Sequence, residues 1–137
     1  MVVVVDNGNH RLVLWRLGDD IVWKHLGSQG SKPGQFICPV AVAVTSTGAL
    51  VVTDQCRVQV LTVDGAVLCV LDPTALVGVG RLGYNLSGVA LYPGTDAILV
   101  TDTNVHRVVA QSWSPEVYYY EQCCLHPTCF LVAVSAL

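Results

Sequence analysis

The chain has 137 residues, with 53% hydrophobic and 12% charged side chains and a formal net charge of −3. Its longest uncharged apolar runs are far shorter than the roughly 18 residues of a membrane-spanning helix, so the sequence predicts no such helix. Seven Lys and Arg residues against ten Asp and Glu residues argue against the basic surface that nucleic-acid binding needs. The length suits one modest domain.

The N-terminal part of the chain predicts three strands. Residues 2–5, 11–17 and 21–26 are runs of β-branched, aliphatic and aromatic residues, and the Gly-Asp-Asp turn signal at 18–20 separates the last two. Residues 2–5 have no basic flank and no cleavage-site pattern. We therefore expect no signal peptide and favour a cytoplasmic protein.

The middle of the chain predicts a meander of four antiparallel strands. Its β-branched runs are separated by turn residues, including Gly48 and Gly65, where a positive φ is easily adopted. The four predicted strands are residues 39–44, 50–53, 57–63 and 66–71.

The last part of the chain repeats the start of this meander. Three predicted strands match the first three strands of the meander, and these are residues 89–91, 97–101 and 107–112. Residues 117–120 are a candidate fourth strand. After a predicted loop over 121–128, residues 130–135 match a first strand again. We predict no helix in the chain.

Three aspartates are the clearest landmarks of an internal repeat. Asp6, Asp54 and Asp102 are spaced 48 and 48 residues apart, each at the end of a β-branched run. Four strands per period of this length are typical of β-propeller blades, whose repeats run roughly 40 to 50 residues. An arginine follows each aspartate after a short turn, and these are Arg11, Arg57 and Arg107.

The most distinctive segments are residues 6–15 (DNGNHRLVLW), 27–36 (GSQGSKPGQF) and 39–44 (PVAVAV). Together they resemble the NHL repeat, a family of β-propeller blades, and the resemblance covers about residues 2–112. It implies an all-β fold: a β-propeller fragment of about three four-stranded antiparallel blades, the first of which lacks its innermost strand. Strands packed between blades are buried on both faces, which accounts for the high apolar content.

We expect a single domain over residues 1–137. The predicted blades are residues 1–27, 36–72 and 85–121, with 122–137 as a candidate first strand of a further blade. Because a closed propeller usually needs four to eight blades, we expect further blades or self-association to complete the ring.

The repeated Asp and Arg residues are predicted to be structural. A carboxylate that ends one strand and a guanidinium that opens the next can bond each other across a short turn and hold turn amides in place. Both residues recur in every copy, whereas catalytic residues belong to a single site.

Polar residues of the same turns and of the linker between blades form a candidate binding surface. In the resembling family these segments open on one rim, the usual docking surface of a propeller. The alternative for each residue is a role in shaping the turn, through left-handed geometry or bonds from its side chain to the backbone. The candidates are Asn7, Asn9, His10, Gln29, Lys32, Gln35, Gln55, Asn104 and His106.

The resemblance implies three classes of function: a protein-interaction platform, single-stranded RNA binding, and metal-dependent lyase or lactonase activity. The predicted innermost strands start without an acidic residue, which disfavours catalysis by this chain, and the sparse Lys and Arg residues disfavour nucleic acid. We therefore predict a non-catalytic scaffold that engages a protein partner.

The sequence also contains one cluster of potential metal ligands. Cys123, Cys124, His126 and Cys129 have side chains that bind zinc, but their spacing fits no standard pair of ligands. We predict no metal and no cofactor.

Overall fold

The computed structural model of the chain describes residues 1–16, 22–55, 57–71, 85–94, 97–104 and 107–112. Within these ranges the chain forms strands and one turn of 3-10 helix, Asn7–Asn9. The strands are β1 (Val2–Asp6), β2 (Arg11–Arg16), β3 (Val22–Leu26), β4 (Pro39–Val44), β5 (Leu50–Asp54), β6 (Arg57–Leu61), β7 (Val67–Leu71), β8 (Leu86–Leu91), β9 (Ala97–Asp102) and β10 (Arg107–Ser112).

The strands form three antiparallel sheets that follow one another along the chain. The first sheet has the order β1-β2-β3, the second β4-β5-β6-β7 and the third β8-β9-β10. Every pair of neighbours in these sheets is antiparallel. The predicted all-β architecture of successive meanders is therefore confirmed for the described residues. In these ranges no helix has the length and apolar character needed to cross a membrane.

The second sheet is buried on both faces. Leu50 and Val52 of β5 pack with Leu12 of β2 in a core between the first and second sheets. Val51 points the other way and packs with Ile98 of β9 in a core between the second and third sheets. Burial of one such aliphatic side chain stabilises a fold by about 1.5–3 kcal/mol. The strand β5 is buried along its whole length, so side chains on both of its faces are removed from solvent.

The first strands of neighbouring sheets lie side by side. The strand β4 contacts β8, while β1 contacts β4 and β5 contacts β8. The contact of β1 with β4 thus matches that of β5 with β8, and the strands β1 and β5, which end in the repeated aspartates, occupy equivalent places in the structure.

The strands β4 and β8, the first strands of the second and third sheets, each carry an irregularity beside a buried threonine. The register of β4 on β5 shifts before Ala41, and that of β8 on β9 shifts before Val89. The amide of Ala41 donates to Thr53 Oγ1 at 3.1 Å, and that of Gly88 donates to Thr101 Oγ1 at 2.7 Å. The repeated threonine hydroxyl therefore supplies an acceptor where the regular ladder is interrupted.

Several strands differ from their predicted bounds, for example β8, which begins at Leu86 rather than at residue 89, and one turn differs as well. The third strand of the second sheet ends at Leu61 rather than at residue 63, because Thr62 N donates to Ala66 O at 2.8 Å and Gly65 N donates to Thr62 O at 2.9 Å, closing a turn. The turn after β1 contains the 3-10 segment Asn7–Asn9, although no helix was predicted. The predicted strands at 117–120 and 130–135 lie outside the described residues.

The first sheet brings two tryptophans together. Trp15 of β2 and Trp23 of β3 are opposite each other in the register, and their rings stack with centroids 4.6 Å apart and planes inclined by 16°. The side chain of Trp23 is 55% exposed. The pair lies on the face of the sheet that also carries Val2 and Val4, pointing away from the second sheet.

Candidate functional site

The turn between β5 and β6 is built on a buried ion pair. Arg57 Nε donates to Asp54 Oδ2 at 3.0 Å, and the Asp54 side chain is 1% exposed. The other carboxylate oxygen, Oδ1, accepts the backbone amides of Ile37 at 2.8 Å and Cys38 at 3.0 Å. Asp54 therefore binds the segment that leads into β4, the first strand of its own sheet, in addition to the turn arginine.

The same cluster holds the linker between the first and second sheets. The Arg57 guanidinium donates to the carbonyl oxygens of Ser31 and Gly30, and to that of Gln35 at 2.8 Å. These bonds cross from β6 to a segment without strand structure. Asp54 and Arg57 bond each other across the turn, but the backbone groups that they hold belong to the linker rather than to the turn.

Gln59 completes this cluster and was not predicted from the sequence. Its Oε1 accepts the amide of Gly34 at 2.9 Å, while Nε2 donates to Gln35 O at 2.7 Å and approaches Asp54 Oδ2 at 3.4 Å. The side chain is fully buried. The sequence did contain a signal for this role, since Gln59 is a single side-chain amide among the apolar residues of strand β6. A buried polar side chain needs hydrogen-bond partners, and an adjacent element must supply them.

The equivalent pair in the first sheet is more exposed. Arg11 Nε lies 2.8 Å from Asp6 Oδ2, and the side chains are 33% and 26% exposed. Asn9 Nδ2 donates to both carboxylate oxygens, at 2.9 and 3.0 Å, and Arg11 also lies 3.3 Å from His25 Nδ1. The hydrogen bond from Arg11, followed by that from Asn9, lowers the pKa of Asp6 below its ordinary value.

The third pair is described in part. Asp102 is 1% exposed and lies opposite Arg107 in the register of β9 and β10. The side chain of Arg107 lies outside the described part of the structure. Asp102 and Arg107 thus share the backbone relationship of Asp54 and Arg57.

Several predicted rim residues join neighbouring segments of the fold. Asn7 Nδ2 donates to Pro39 O of β4 at 2.7 Å, which ties the first turn to the second sheet. Gln55 has a left-handed backbone with φ of 50°, and its carbonyl accepts the amide of Leu86 of β8 at 2.9 Å. Gln35 Oε1 accepts the backbone amide of Lys32 at 3.2 Å. These contacts give Asn7, Gln55 and Gln35 structural roles.

The other rim candidates differ in exposure. His10 is half-buried with a left-handed φ of 54°. Gln29, Lys32 and Asn104 are exposed. His106 lies outside the described residues.

The structure brings part of the predicted rim together. The linker and the turn after β5 lie at the same end of the second sheet, because Arg57 and Asp54 bond both segments. We use the name linker surface for the exposed side chains of Gln29, Ser31, Lys32 and Pro33. This surface is polar and includes one cation. Its backbone is held by hydrogen bonds from the cluster of Asp54, Arg57 and Gln59.

The linker surface offers hydrogen bonding and one positive charge. Within the described ranges, no group of three or more His, Cys, Asp or Glu side chains is placed to hold a metal ion. Lys24 of β3 lies with Nζ 3.0 Å from Oδ1 of Asp64 in the turn between β6 and β7, an ion pair that joins the first and second sheets.

No protein-family model and no curated protein matches the chain.

Proposed function

We propose that the chain is a partial NHL-type β-propeller that acts as a non-catalytic scaffold, and that it engages a protein partner through the linker surface. Support for the propeller comes from three successive antiparallel meanders whose first strands are neighbours and whose Asp and Arg positions repeat. Such stacked sectors are typical of propeller blades.

The observation that favours partner binding is the fixation of the linker. Asp54, Arg57 and Gln59 direct a buried network of hydrogen bonds at the backbone between Gly30 and Cys38. An exposed loop held on rigid strands loses little conformational entropy when it binds, which favours recognition. The network therefore suits a surface whose purpose is to be presented to a partner.

Charge favours a protein over single-stranded RNA as this partner. Among the basic residues whose side chains are described, Arg11, Arg57 and Lys24 each bond a carboxylate. The exposed cations Lys32 and Arg16 belong to different elements. Phosphate binding draws most of its affinity from grouped cations, and this arrangement does not group them.

Site-specific photo-cross-linking tests the proposal. A photoreactive amino acid replaces Lys32 in the full chain, which is expressed in cells that naturally produce it. Position Ser46 serves as the matched control, because it is also exposed but lies in the turn at the opposite end of the second sheet. We expect a discrete adduct from position 32 that ribonuclease treatment leaves intact, and no such adduct from position 46.

Other results contradict the proposal. An adduct that ribonuclease removes would favour the RNA alternative. Equal labelling from the two positions, or none from position 32, would exclude a specific partner at the linker surface. As a second measurement, submicromolar binding of single-stranded RNA with a steep dependence on salt would replace the protein-partner proposal.

A further inference from the structure

The turn after β1 contains a pair of residues with a chemistry of its own. Of the four asparagines in the sequence, Asn7 alone precedes a glycine, Gly8, and the other three precede His, Leu and Val. The backbone nitrogen that follows an asparagine can attack the side-chain carbonyl carbon, and a glycine favours this attack because it has no Cβ to crowd it. Both residues are exposed, so the reactive pair is also open to water.

The fold does not require a glycine at position 8. The φ of Gly8 lies outside the left-handed region, and a Cβ added there would meet no atom of the described residues within 4 Å. By contrast, Gly27 has a left-handed φ of 92°, and a Cβ added to it would clash with the ring of Phe36. The effect of Gly8 on the chemistry of Asn7 can therefore be removed by an alanine without a steric conflict.

Two hydrogen bonds hold Asn7 away from the geometry that the reaction needs. Its Nδ2 donates to Pro39 O at 2.7 Å, and its carbonyl oxygen accepts the amide of His10 at 3.1 Å in the 3-10 turn. Ring closure requires Cβ of Asn7 and N of Gly8 to eclipse each other about the Cα–C bond, which a helical ψ does not allow. The side chain must also leave Pro39 and turn back onto its own backbone. The reaction therefore needs the turn to open.

We propose that Asn7 is a site of spontaneous deamidation whose rate is controlled by opening of the turn between β1 and β2. The backbone nitrogen of Gly8 bonds to Cγ of Asn7 and gives up its proton, while the bond from Cγ to Nδ2 breaks and the side-chain nitrogen leaves as ammonia. The product is a five-membered succinimide. Water then adds to one of its two carbonyl carbons and opens the ring, which leaves aspartate or isoaspartate at position 7. The reaction consumes water and needs no oxidant or reductant.

Deamidation weakens the joint between the first and second sheets. The carboxylate that replaces the Asn7 amide has no proton to donate to Pro39 O at the start of β4. It also stands beside that carbonyl oxygen and follows Asp6 directly in the chain, so repulsion is added to the lost bond. Lys24 and Asp64 join the same two sheets, but an exposed ion pair contributes little. The modification therefore removes one of the polar contacts that hold the two sheets together.

Incubation of the full chain at mildly alkaline pH tests the site. A tryptic digest places Asn7 and Asn9 in the peptide that ends at Arg11, and separates them from the Asp-Gly pair at 64–65, which can form a succinimide as well. Mass spectrometry identifies the modified residue, and an isoaspartate-specific methyltransferase identifies the product. We expect aspartate and isoaspartate at position 7 and an unmodified Asn9, which donates to Asp6 and precedes a bulky residue. The inference does not depend on the partner proposed for the linker surface.

Two comparisons separate the chemistry of the pair from the control by the turn. Gly8→Ala should slow the reaction in the folded and in the unfolded chain, because the added Cβ crowds the attacking nitrogen. The unsubstituted chain unfolded in guanidinium chloride should react roughly tenfold faster than the folded chain, or more, because each of the two bonds of Asn7 shifts the opening equilibrium by about two- to tenfold. A urea titration of Gly8→Ala verifies that the variant folds.

Several results would overturn the proposal. No modification at position 7, or equal modification of Asn9, would exclude the assigned site. Aspartate without isoaspartate, or an unchanged rate in Gly8→Ala, would exclude attack by the backbone nitrogen. A folded chain that reacts as fast as the unfolded one would exclude control by the turn.

The effect on the joint between the sheets has its own measurement. Asn7→Asp reproduces one product, and Asn7→Ala is the matched control, because it removes the bond to Pro39 O without adding a charge. We expect urea to unfold both variants at a lower midpoint than the unsubstituted chain, with Asn7→Asp the lower of the two. A midpoint of Asn7→Asp equal to that of the unsubstituted chain would show that deamidation does not weaken the joint.

Discussion

Asp54 and Arg57 share a bond of 3.0 Å between Oδ2 and Nε, and each residue also binds the linker that precedes β4. One nearly fully buried carboxylate thus joins a turn, the start of β4 and a connection between sheets. The half-buried pair Asp6 and Arg11 spans a longer turn, and the contacts described for it do not include backbone groups of a linker.

Replacement of Asp54 should destabilise the fold strongly. In Asp54→Ala the amides of Ile37 and Cys38 and the guanidinium of Arg57 lose their acceptor. Removing one partner of a buried ion pair costs about 3–5 kcal/mol, and we expect a loss of that order in the free energy of unfolding. Urea titration measures it. Asp6→Ala is the control and should cost clearly less, so equal losses would contradict the role assigned to burial.

Replacement of Thr53 should reveal the contribution of the repeated hydroxyl. Thr53 Oγ1 accepts the Ala41 amide and donates to Ser87 O of β8 at 2.8 Å. Thr53→Val keeps the shape of the side chain but leaves these buried groups without a partner, which costs about 1–3 kcal/mol. Thr47→Val in an exposed turn is the control and should change the midpoint little. A null effect at Thr53 would show that the interrupted ladder needs no such bond.

Replacement of two glycines should distinguish the energetic cost of backbone strain from that of a steric clash. Gly27 and Gly48 have φ of 92° and 86°, so alanine is strained at both. A Cβ at Gly27 would lie 2.4 Å from ring carbons of Phe36, whereas one at Gly48 meets nothing within 4 Å. Gly48→Ala should therefore lower the free energy of unfolding by about 1–2 kcal/mol. Gly27→Ala should lower it by about 1–3 kcal/mol more, because the added methyl group overpacks the core. Similar melting temperatures for the two variants would argue against the clash.

The pKa of Asp6 predicts a specific dependence of stability on pH. Arg11 and Asn9 hold the pKa of Asp6 below its ordinary value, so folding favours the ionised carboxylate. The resulting stabilisation is present above the unfolded-state pKa and is lost as pH falls through the lower folded-state pKa. Asp6→Asn should remove this part of the acid dependence. The difference in melting temperature between the two proteins, measured from neutral pH down to acid, should narrow; a constant difference would disprove the linkage.

Much of the architecture was predictable because strand periodicity and turn residues act locally. The β-branched runs around Val52 and Val100 and the turn at Gly48 predicted strands and their order. The end of β6 was wrong by two residues, because the bond between Thr62 and Ala66 is a property of the turn geometry.

The candidate site was less predictable because its contacts join segments that are distant in sequence. The amide of Asn7 reaches Pro39, and Gln59 reaches Gly34. Neither partner is implied by spacing or composition. Residue type indicated that these side chains need hydrogen bonds, but only the packing of the sheets decides which backbone groups are within reach.

The stacked indoles of Trp15 and Trp23 make the first sheet optically distinct from the other two. Close, nearly parallel chromophores couple their electronic transitions, and this coupling disappears when β2 and β3 separate. Circular dichroism of the exciton band therefore reports on one sheet alone, and its comparison with the backbone signal during denaturation reveals whether the repeats melt together or in succession.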